Sequence, residues 1–204
     1  LVENKLSHLI FTGKDPSKDP LHLNDIQPVL KNSKYFKKGD LFLSFRNLSM
    51  IILYRPSENK VVWYKQFPWE LQHDVDILND HQISIFNNKR IVHNFDKSVK
   101  RYNNILIYDF KNKKVLNKYE NLFIKSDIRA HREGLAEIQS DGAIFIEEGV
   151  YGRALQFNKN GNLIWKYINR AKDNKLYRLN WSRVYENIDN ELILKLKNSN
   201  CEKK

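Results

Sequence analysis

The amino-acid sequence predicts an all-β fold, a β-propeller of four-stranded blades, and two observations support this. Strand pairs with a polar turn and period-2 alternation, as in KKGDLFLSF (37–45), are typical of β-hairpins. Each is followed by two apolar strands joined by a charged turn, as in MIILYRPSENKVVWYK (50–65). The two kinds alternate in strict order with a period of roughly fifty residues. One small sheet cannot bury both of its faces, so successive units are expected to stack around an axis.

The remaining units follow the same order along the chain. Hairpins of the first kind recur as NDHQISIF, SDGAIFIE and IDNELILKL (79–86, 140–147 and 188–196), and those of the second kind as NILIYDFKNKKVLNKY and RALQFNKNGNLIWKYI (104–119 and 153–168). We therefore expect a single propeller domain over 1–204 with about three and a half blades, in which 1–20 and 197–204 are peripheral. The segment 171–178 is the one candidate for a short helix.

The repeat also discriminates between kinds of all-β fold. A β-sandwich has strands at regular spacing too, but it does not predict two hairpin types in strict alternation. Propellers have about four to eight blades, so the chain is either one part of a longer propeller or a small propeller. The start at Leu1 instead of Met favours the first interpretation.

The composition is that of a globular chain with a substantial core, since 41% of the residues are hydrophobic and 12% are aromatic. No apolar run approaches the roughly 20 residues that cross a bilayer, so no membrane span is predicted. The single cysteine, Cys201, lies in the polar segment SNCEKK. It allows no internal disulfide and suggests neither a thiolate metal cluster nor a cysteine nucleophile.

The net charge of +11 favours anionic ligands. The lysines are scattered among asparagines at predicted turns, as in KNSKYFKKGD and NKNGN, and do not form one basic stripe. This pattern is typical of solvated turns, so nucleic acid is not the partner that the sequence predicts.

Polar residues collect just before or within the first strand of each unit. In a propeller the innermost strands line the central channel, so residues at corresponding points of successive units converge in space. His22, His73 and His131 are expected to occupy matching places, with Asn24 beside the first of them, and Arg46 ends the second strand of the first unit. Histidine, asparagine and arginine at one channel mouth would form an oxyanion-binding set, in which the planar arginine fork suits sulfate or phosphate.

Other chemistries have less support. His22, His73 and His131 could form a three-histidine metal site, but no close histidine pair or HExxH spacing supports it, so no metal is predicted. The sequence contains no GxSxG elbow, GxxxxGK[ST] loop or GxGxxG turn. Asp74 and Asp76 are expected to orient His73 or to cap a turn. Three further histidines are expected to be solvated: His8, His81 and His93.

These segments carry a resemblance to a known family. HLNDIQPV, GDLFLSFRNLSMIILYRPSENKVVWY and LQHDVDILNDHQISIFNN follow one another in the order of the family's His-x-Asn segment, GDLLLSxRN strand, GxIxW strand and QHD segment. The chain thus resembles the arylsulfate sulfotransferase family of β-propellers over most of 21–186. The later segment HREGLAEIQSDGAIFIEEGVYGRALQFNKNGNLIWKYIN is similar to the family's next blade.

The resemblance implies a six-bladed propeller, of which this chain would be the C-terminal part. It implies transfer of a sulfuryl group from an aryl sulfate to a phenol by a ping-pong route through a sulfohistidine, without a nucleotide or other cofactor. By the matching motifs, His73 would be the nucleophile, and His22, Asn24 and Arg46 would bind the sulfate oxygens, with His131 as a weaker candidate. A periplasmic or secreted location is also implied, with no signal peptide visible in this chain. The family's further histidine upstream of the His-x-Asn segment has no clear counterpart.

Two alternatives of other classes stay open at this point. A noncatalytic propeller would bind a protein partner or an anionic ligand in its channel, and its polar side chains would not need to converge on one point. A nucleic-acid-binding protein would need one continuous basic face and would lose affinity steeply with salt.

Overall fold

The computed structural model describes residues 1–9, 19–89 and 101–199. Within these residues twelve strands form three antiparallel four-stranded sheets, and each sheet contains four consecutive strands in chain order. The predicted all-β fold of four-stranded propeller blades is therefore confirmed.

The bounds of the strands are as follows. The first blade contains β1 (Leu23–Pro28), β2 (Leu41–Phe45), β3 (Met50–Arg55) and β4 (Lys60–Gln66); the second contains β5 (His73–Ile77), β6 (Gln82–Asn87), β7 (Asn104–Asp109) and β8 (Lys114–Leu116); the third contains β9 (Leu135–Ile138), β10 (Ile144–Glu148), β11 (Arg153–Phe157) and β12 (Leu163–Ile168). Two α-helices are described, α1 (Glu120–Lys125) and α2 (Asn190–Asn198).

The turns between β2 and β3 and between β10 and β11 share one geometry. Each begins with a 3-10 turn, Arg46–Leu48 in the first blade and Gly149–Tyr151 in the third. Each ends on a left-handed residue, Ser49 at φ 49° and Gly152 at φ 58°. At Gly152 an added Cβ would meet the carbonyl of Tyr177, so glycine is required by close packing as well as by conformation.

The cores lie between neighbouring blades. Phe42, Ile51 and Leu53 of the first blade pack against Val75 and Ile83 of the second in one buried cluster. A second cluster joins the second blade to the third. The central strands β3, β6, β7 and β10 are therefore buried along most of their length, because both faces of their sheets are covered.

Side-chain carboxylates link the first strands of successive units, which line the inside of the structure. Asp25 Oδ2 of β1 accepts from the backbone N–H of Val75 in β5 at 2.7 Å. Asp74 Oδ2 of β5 accepts from that of Ala136 in β9 at 2.9 Å. These bonds hold β1, β5 and β9 side by side.

The predicted hairpin over 188–196 is wrong, because the chain there forms α2. The Asp189 carboxylate accepts a hydrogen bond from Glu191 N and caps the helix, and Glu191 pairs with Lys195 at 2.7 Å. ELILKLK alternates like a strand, but capping and ion pairing one turn apart favour a helix. The described residues therefore form three blades, and the first hairpin of a fourth is not among them.

The helix prediction for 171–178 is also wrong, since Arg170 and Leu176 form an isolated antiparallel bridge there. Helix α1, which was not predicted from the sequence, packs Phe123 into the second core cluster. Among the described residues no helix is long and apolar enough to cross a membrane.

Candidate active site

His73 is the first residue of β5 and is held by an irregular backbone. Leu71 and Asp74 both adopt left-handed conformations, at φ 51° and 43°. The pairing of β5 with β6 shifts register between His73 and Val75, so Asp74 is a bulge residue. A bulge re-aims neighbouring side chains, and the imidazole here is only 5% exposed.

Asn88 fixes the proton of the His73 ring. Asn88 Nδ2 donates to the carbonyl oxygens of Ala130 at 2.9 Å and Glu133 at 3.0 Å, which commits both amide hydrogens. Its Oδ1, an acceptor, lies 2.9 Å from His73 Nδ1. The proton of this bond therefore belongs to Nδ1, and Nε2 of the neutral ring carries the lone pair.

His73 is neutral over the physiological pH range. Burial lowers the pKa of His73 to about 4, and hydrogen bonds to Asn88 and to the Leu71 carbonyl oppose this effect only in part. The charges of Arg46 and His22 lower the pKa further. A neutral imidazole with a free lone pair is a nucleophile, whereas an imidazolium is not.

Arg46 and His22 are brought together by backbone hydrogen bonds. The N–H of Arg46 donates to the His22 carbonyl at 3.0 Å, so the turn after β2 lies against the segment that precedes β1. His22 Nδ1 is 2.6 Å from Asp19 Oδ2, and the Arg46 guanidinium is half-buried and donates to Asn47 Oδ1 at 3.0 Å. Both side chains are thus held by neighbours within the first blade.

A second guanidinium faces this cluster. Burial lowers the pKa of Arg46, the positive charge of Arg132 lowers it further, and Asp19 opposes both. Arg132 lies in the loop before β9, which is the loop that Asn88 holds through the Ala130 and Glu133 carbonyls. Arg46 is thus close enough to both Arg132 and His73 for its charge to act on each, and two like charges near one another favour binding of an anion.

Asn24 contacts the backbone next to His73, and its contact with His73 is therefore indirect. Its Nδ2 donates to the Gln72 carbonyl at 2.8 Å, so it holds the peptide that precedes His73. Its Oδ1 is buried, and no described group hydrogen-bonds to it. The role of Asn24 as a sulfate ligand stays a prediction.

The three histidines predicted to match do not share a register position. His73 pairs with Phe86, and the corresponding partner of Phe45 is Leu23, so His22 precedes the matching position by one residue. His131 lies in the loop before β9, where its ring is 6.1 Å from that of Tyr151. The structure thus brings together His22, Asn24, Arg46 and His73, whereas the place of His131 in the site stays a prediction.

Asp74 and Asp76 have other environments than expected. Asp74 caps the Ala136 amide of the next blade and does not orient His73. Burial first, and then the charges of Asp25 and Glu137, raise the pKa of Asp76 to about 7. Asp25, Asp76 and Glu137 thus form an acidic band along the first strands of the blades. The positive charge of Arg183 lies near this band and partly opposes the rise in the pKa of Asp76.

The described residues contain no group of three or more histidine, cysteine, aspartate and glutamate side chains placed to hold a metal ion. His81 lies beside Asp80 at a hairpin tip, and His8 is exposed near the amino terminus. The predictions for His93 and Cys201 lie outside the described residues.

Asn88 and Arg132 are site residues that were not predicted from the sequence. A signal for Asn88 was present, because SFRN at the end of β2 is repeated as IFNN at the end of β6, which places Asn88 in the position of Asn47. Asn47 Nδ2 also anchors a preceding loop, through the Asp19 carbonyl at 2.8 Å. At this position of the repeat, both asparagines donate hydrogen bonds to backbone carbonyls of a loop outside their own strand.

The described residues thus form three blades of a β-propeller, with a buried neutral histidine that is hydrogen-bonded to Asn88 and lies near Arg46. The family profile of the arylsulfotransferases (ASST) matches residues 4–170. The chain therefore belongs to the arylsulfotransferase family.

Two solved structures are also similar to the chain. The WD40 β-propeller domain of Doa1 is 14% identical with a TM-score of 0.44, over 71% of this chain and 40% of that one. Hsv2 of Kluyvelomyces marxianus is 9% identical with a TM-score of 0.29, over 71% of this chain and 52% of that one. The chain thus spans about half or less of either structure. No curated protein matches the chain.

Proposed function

We propose that this protein transfers a sulfuryl group from an aryl sulfate to a phenol, with His73 as the nucleophile. The observation that carries the proposal is the hydrogen bond of His73 Nδ1 to Asn88, which assigns the ring proton to Nδ1 and the lone pair of the neutral ring to Nε2. Family membership supports the class of reaction. The mechanism and the residue roles are our inference from this geometry.

The charges around His73 suit the substrate. An aryl sulfate is a monoanion whose three terminal oxygens accept hydrogen bonds, and arginine binds such oxygens with two parallel N–H groups. Arg46 and His22 lie close enough to His73 to lower its pKa, and Arg132 faces Arg46. These groups would hold the sulfate with its sulfur toward Nε2 and stabilise charge that shifts during transfer.

The first half-reaction forms a sulfohistidine. The lone pair of His73 Nε2 forms a bond to sulfur, while the bond between sulfur and the aryl oxygen breaks. The aryloxide leaves with the electron pair of that bond and takes a proton from water to become the phenol product. The ring then carries positive charge, which strengthens its Nδ1–H bond to Asn88.

The second half-reaction regenerates His73. The oxygen of the acceptor phenol forms a bond to sulfur and releases its proton to water. The bond between nitrogen and sulfur breaks, and its electron pair returns to Nε2. The proton released balances the one taken up by the first aryloxide, so the reaction needs neither a nucleotide nor a redox cofactor.

The test uses a chromogenic aryl sulfate with and without a phenol acceptor. Without acceptor, the protein should release at most one equivalent of phenol in a burst and gain the mass of one SO3 group on His73. His73→Gln should abolish the burst, because an amide cannot replace the nucleophile. The matched control is His81→Gln at the exposed hairpin tip, which should keep the burst.

The noncatalytic alternative gives a different result in the same assay. A propeller that only binds anions through Arg46 and Arg132 would bind the aryl sulfate, release no phenol and gain no mass. An unchanged burst in His73→Gln would instead contradict the role of His73 while leaving the activity in place.

A further inference from the structure

We propose that Asn88 is the positioning residue of the site: it fixes the reactive tautomer of His73 and docks the loop that carries Arg132. This inference rests on the proposed sulfuryl transfer for its kinetic consequence. Its structural part, the tautomer of His73, can be measured whether or not the protein is active.

The geometry allows one orientation of the Asn88 amide. With both hydrogens of Nδ2 on the carbonyls of Ala130 and Glu133, a flipped amide would place its oxygen against two other oxygens. Asn88 is fully buried, so water cannot supply the lost hydrogen bonds. The Asn88 atom that faces His73 is therefore the oxygen Oδ1, which can only accept a hydrogen bond.

The consequence for His73 is a choice between two tautomers. A neutral histidine in water favours the form with the proton on Nε2, in which the lone pair would lie on Nδ1, facing Asn88 and away from any substrate. Because Asn88 Oδ1 accepts a hydrogen bond from Nδ1, the tautomer with the proton on Nδ1 is favoured and Nε2 stays unprotonated.

The same side chain also sets the position of Arg132. The carbonyls of Ala130 and Glu133, which bracket this arginine in the sequence, both bind Asn88 Nδ2. One amide therefore connects the nucleophile of the second blade to an arginine at the entrance of the third. Asn103 Nδ2 donates to the Ala130 carbonyl as well, at 2.9 Å, so the loop has a second anchor.

This second anchor provides a matched control. Asn88→Leu removes both the loop anchor and the acceptor for His73 in a side chain of the same branched shape. Asn103→Leu, in an equally buried side chain, removes a loop anchor and a 3.3 Å bond to the Asn88 backbone carbonyl, and it leaves the Asn88 Oδ1 acceptor in place. Thermal unfolding measures the packing cost of each variant.

The experiment combines long-range ¹H–¹⁵N NMR of the histidine rings with single-turnover kinetics. In the wild type, His73 should show a protonated Nδ1 and an unprotonated Nε2. In Asn88→Leu the Nε2–H form should become populated, and the burst rate should fall about 10- to 100-fold with little change in KM for the aryl sulfate. Asn103→Leu should keep the wild-type tautomer.

Asn88→Ala keeps the inference testable if Asn88→Leu does not fold. The shorter side chain removes the acceptor for Nδ1 and adds no bulk, so the Nε2–H form of His73 should again become populated. A protonated Nε2 in the wild type, or a His73 tautomer in either variant identical to that of the wild type, would overturn the inference. If Asn88→Leu shows the tautomer change but the wild type gives no phenol burst, the proposed function alone is overturned.

Discussion

Burial and hydrogen bonding act on the His73 ring in different ways, and the proposed role of His73 as a nucleophile requires both. Burial among the blades keeps the ring neutral by lowering its pKa to about 4. The bond to Asn88 determines which nitrogen carries the proton. Neither effect alone would give a nucleophile, since a neutral ring of the other tautomer has its lone pair on the wrong side.

Arg46 is expected to contribute through the shape of its guanidinium as well as its charge. Arg46→Gln should lower kcat/KM for an aryl sulfate by about 100- to 1000-fold, because it removes a cationic donor from charge that shifts in the transition state. Arg46→Lys keeps the charge but loses the two-pronged geometry, so its kcat/KM should lie between those of Arg46→Gln and the wild type.

Steady-state kinetics with one donor and one acceptor measure this series. The control is Arg170→Gln, since Arg170 is exposed after β12. If Arg46→Gln had the same kcat/KM as Arg170→Gln, the sulfate-binding role of Arg46 would be wrong.

At the scale of the strands, the carboxylate links between blades make a separate contribution. Asp25 Oδ2 accepts from the Val75 N–H between β1 and β5, in a largely buried setting that raises the pKa of Asp25. Asp141 makes a similar bond to the Ala143 N–H at 2.8 Å, but in an exposed turn. This pair separates the effect of the bond from that of its burial.

Asp25→Ala should lower the free energy of unfolding by about 1–3 kcal/mol, because it leaves a buried N–H without an acceptor. Asp25→Asn keeps an acceptor without a charge, so at pH 8 it should be at least as stable as the wild type. Asp141→Ala should cost less than Asp25→Ala, since water can replace its bond. Urea unfolding measures all three, and a loss in Asp25→Asn equal to that in Asp25→Ala would contradict this account.

The strands were predictable from sequence where their pattern was local. Alternation and turns located the hairpins at 37–45 and 104–119, and the repeat placed their strands in blades. Over 188–196 the same alternation was misleading, because the capping contact of Asp189 decided for a helix. A local sequence pattern does not show whether a neighbouring strand is available to pair with the segment. Without such a partner among the described residues, the capped helix is the more stable structure.

The site was predictable in part for a similar reason. His22 precedes β1, His73 begins β5 and Arg46 follows β2, so the repeat already indicates that these three segments lie near one another. The bond between Asn88 and His73 depends on a bulge and on a loop of the next blade, neither of which has a sequence signature. The identity of residues is visible in a sequence, but which atoms face one another across two blades is not.

At the scale of the whole molecule, charge is distributed unevenly between inside and outside. The chain has a net charge of +11, with lysines at its turns, whereas the inner strands carry Asp25, Asp76 and Glu137 close together. Burial and mutual repulsion raise the pKa of Asp76 to about 7. The blades therefore gather carboxylates along their inner strands that are costly to ionise.

This arrangement predicts how stability depends on pH. Between 3.8, the ordinary pKa of an aspartate in an unfolded chain, and the folded value of about 7, the folded state keeps a proton on Asp76 that the unfolded chain has lost. The free energy of unfolding should therefore fall as the pH rises through this window, by several kcal/mol for so large a shift. His73 acts in the opposite direction below its unfolded pKa of 6.5, because its folded pKa is lowered to about 4.

The variant Asp76→Asn isolates the contribution of the carboxylate. It should make the fall in stability between pH 4 and 7 shallower without abolishing it, because burial also raises the pKa values of Asp74 and Asp25, which keep part of the slope. Urea unfolding at half-unit pH intervals, for the wild type and for Asp76→Asn, measures both curves. Asp80→Asn, an exposed carboxylate at the neighbouring hairpin tip, should leave the wild-type curve unchanged. Parallel curves for the wild type and Asp76→Asn would show that Asp76 is already ionised in the folded protein, because only a group that gains or loses a proton on unfolding can change the slope.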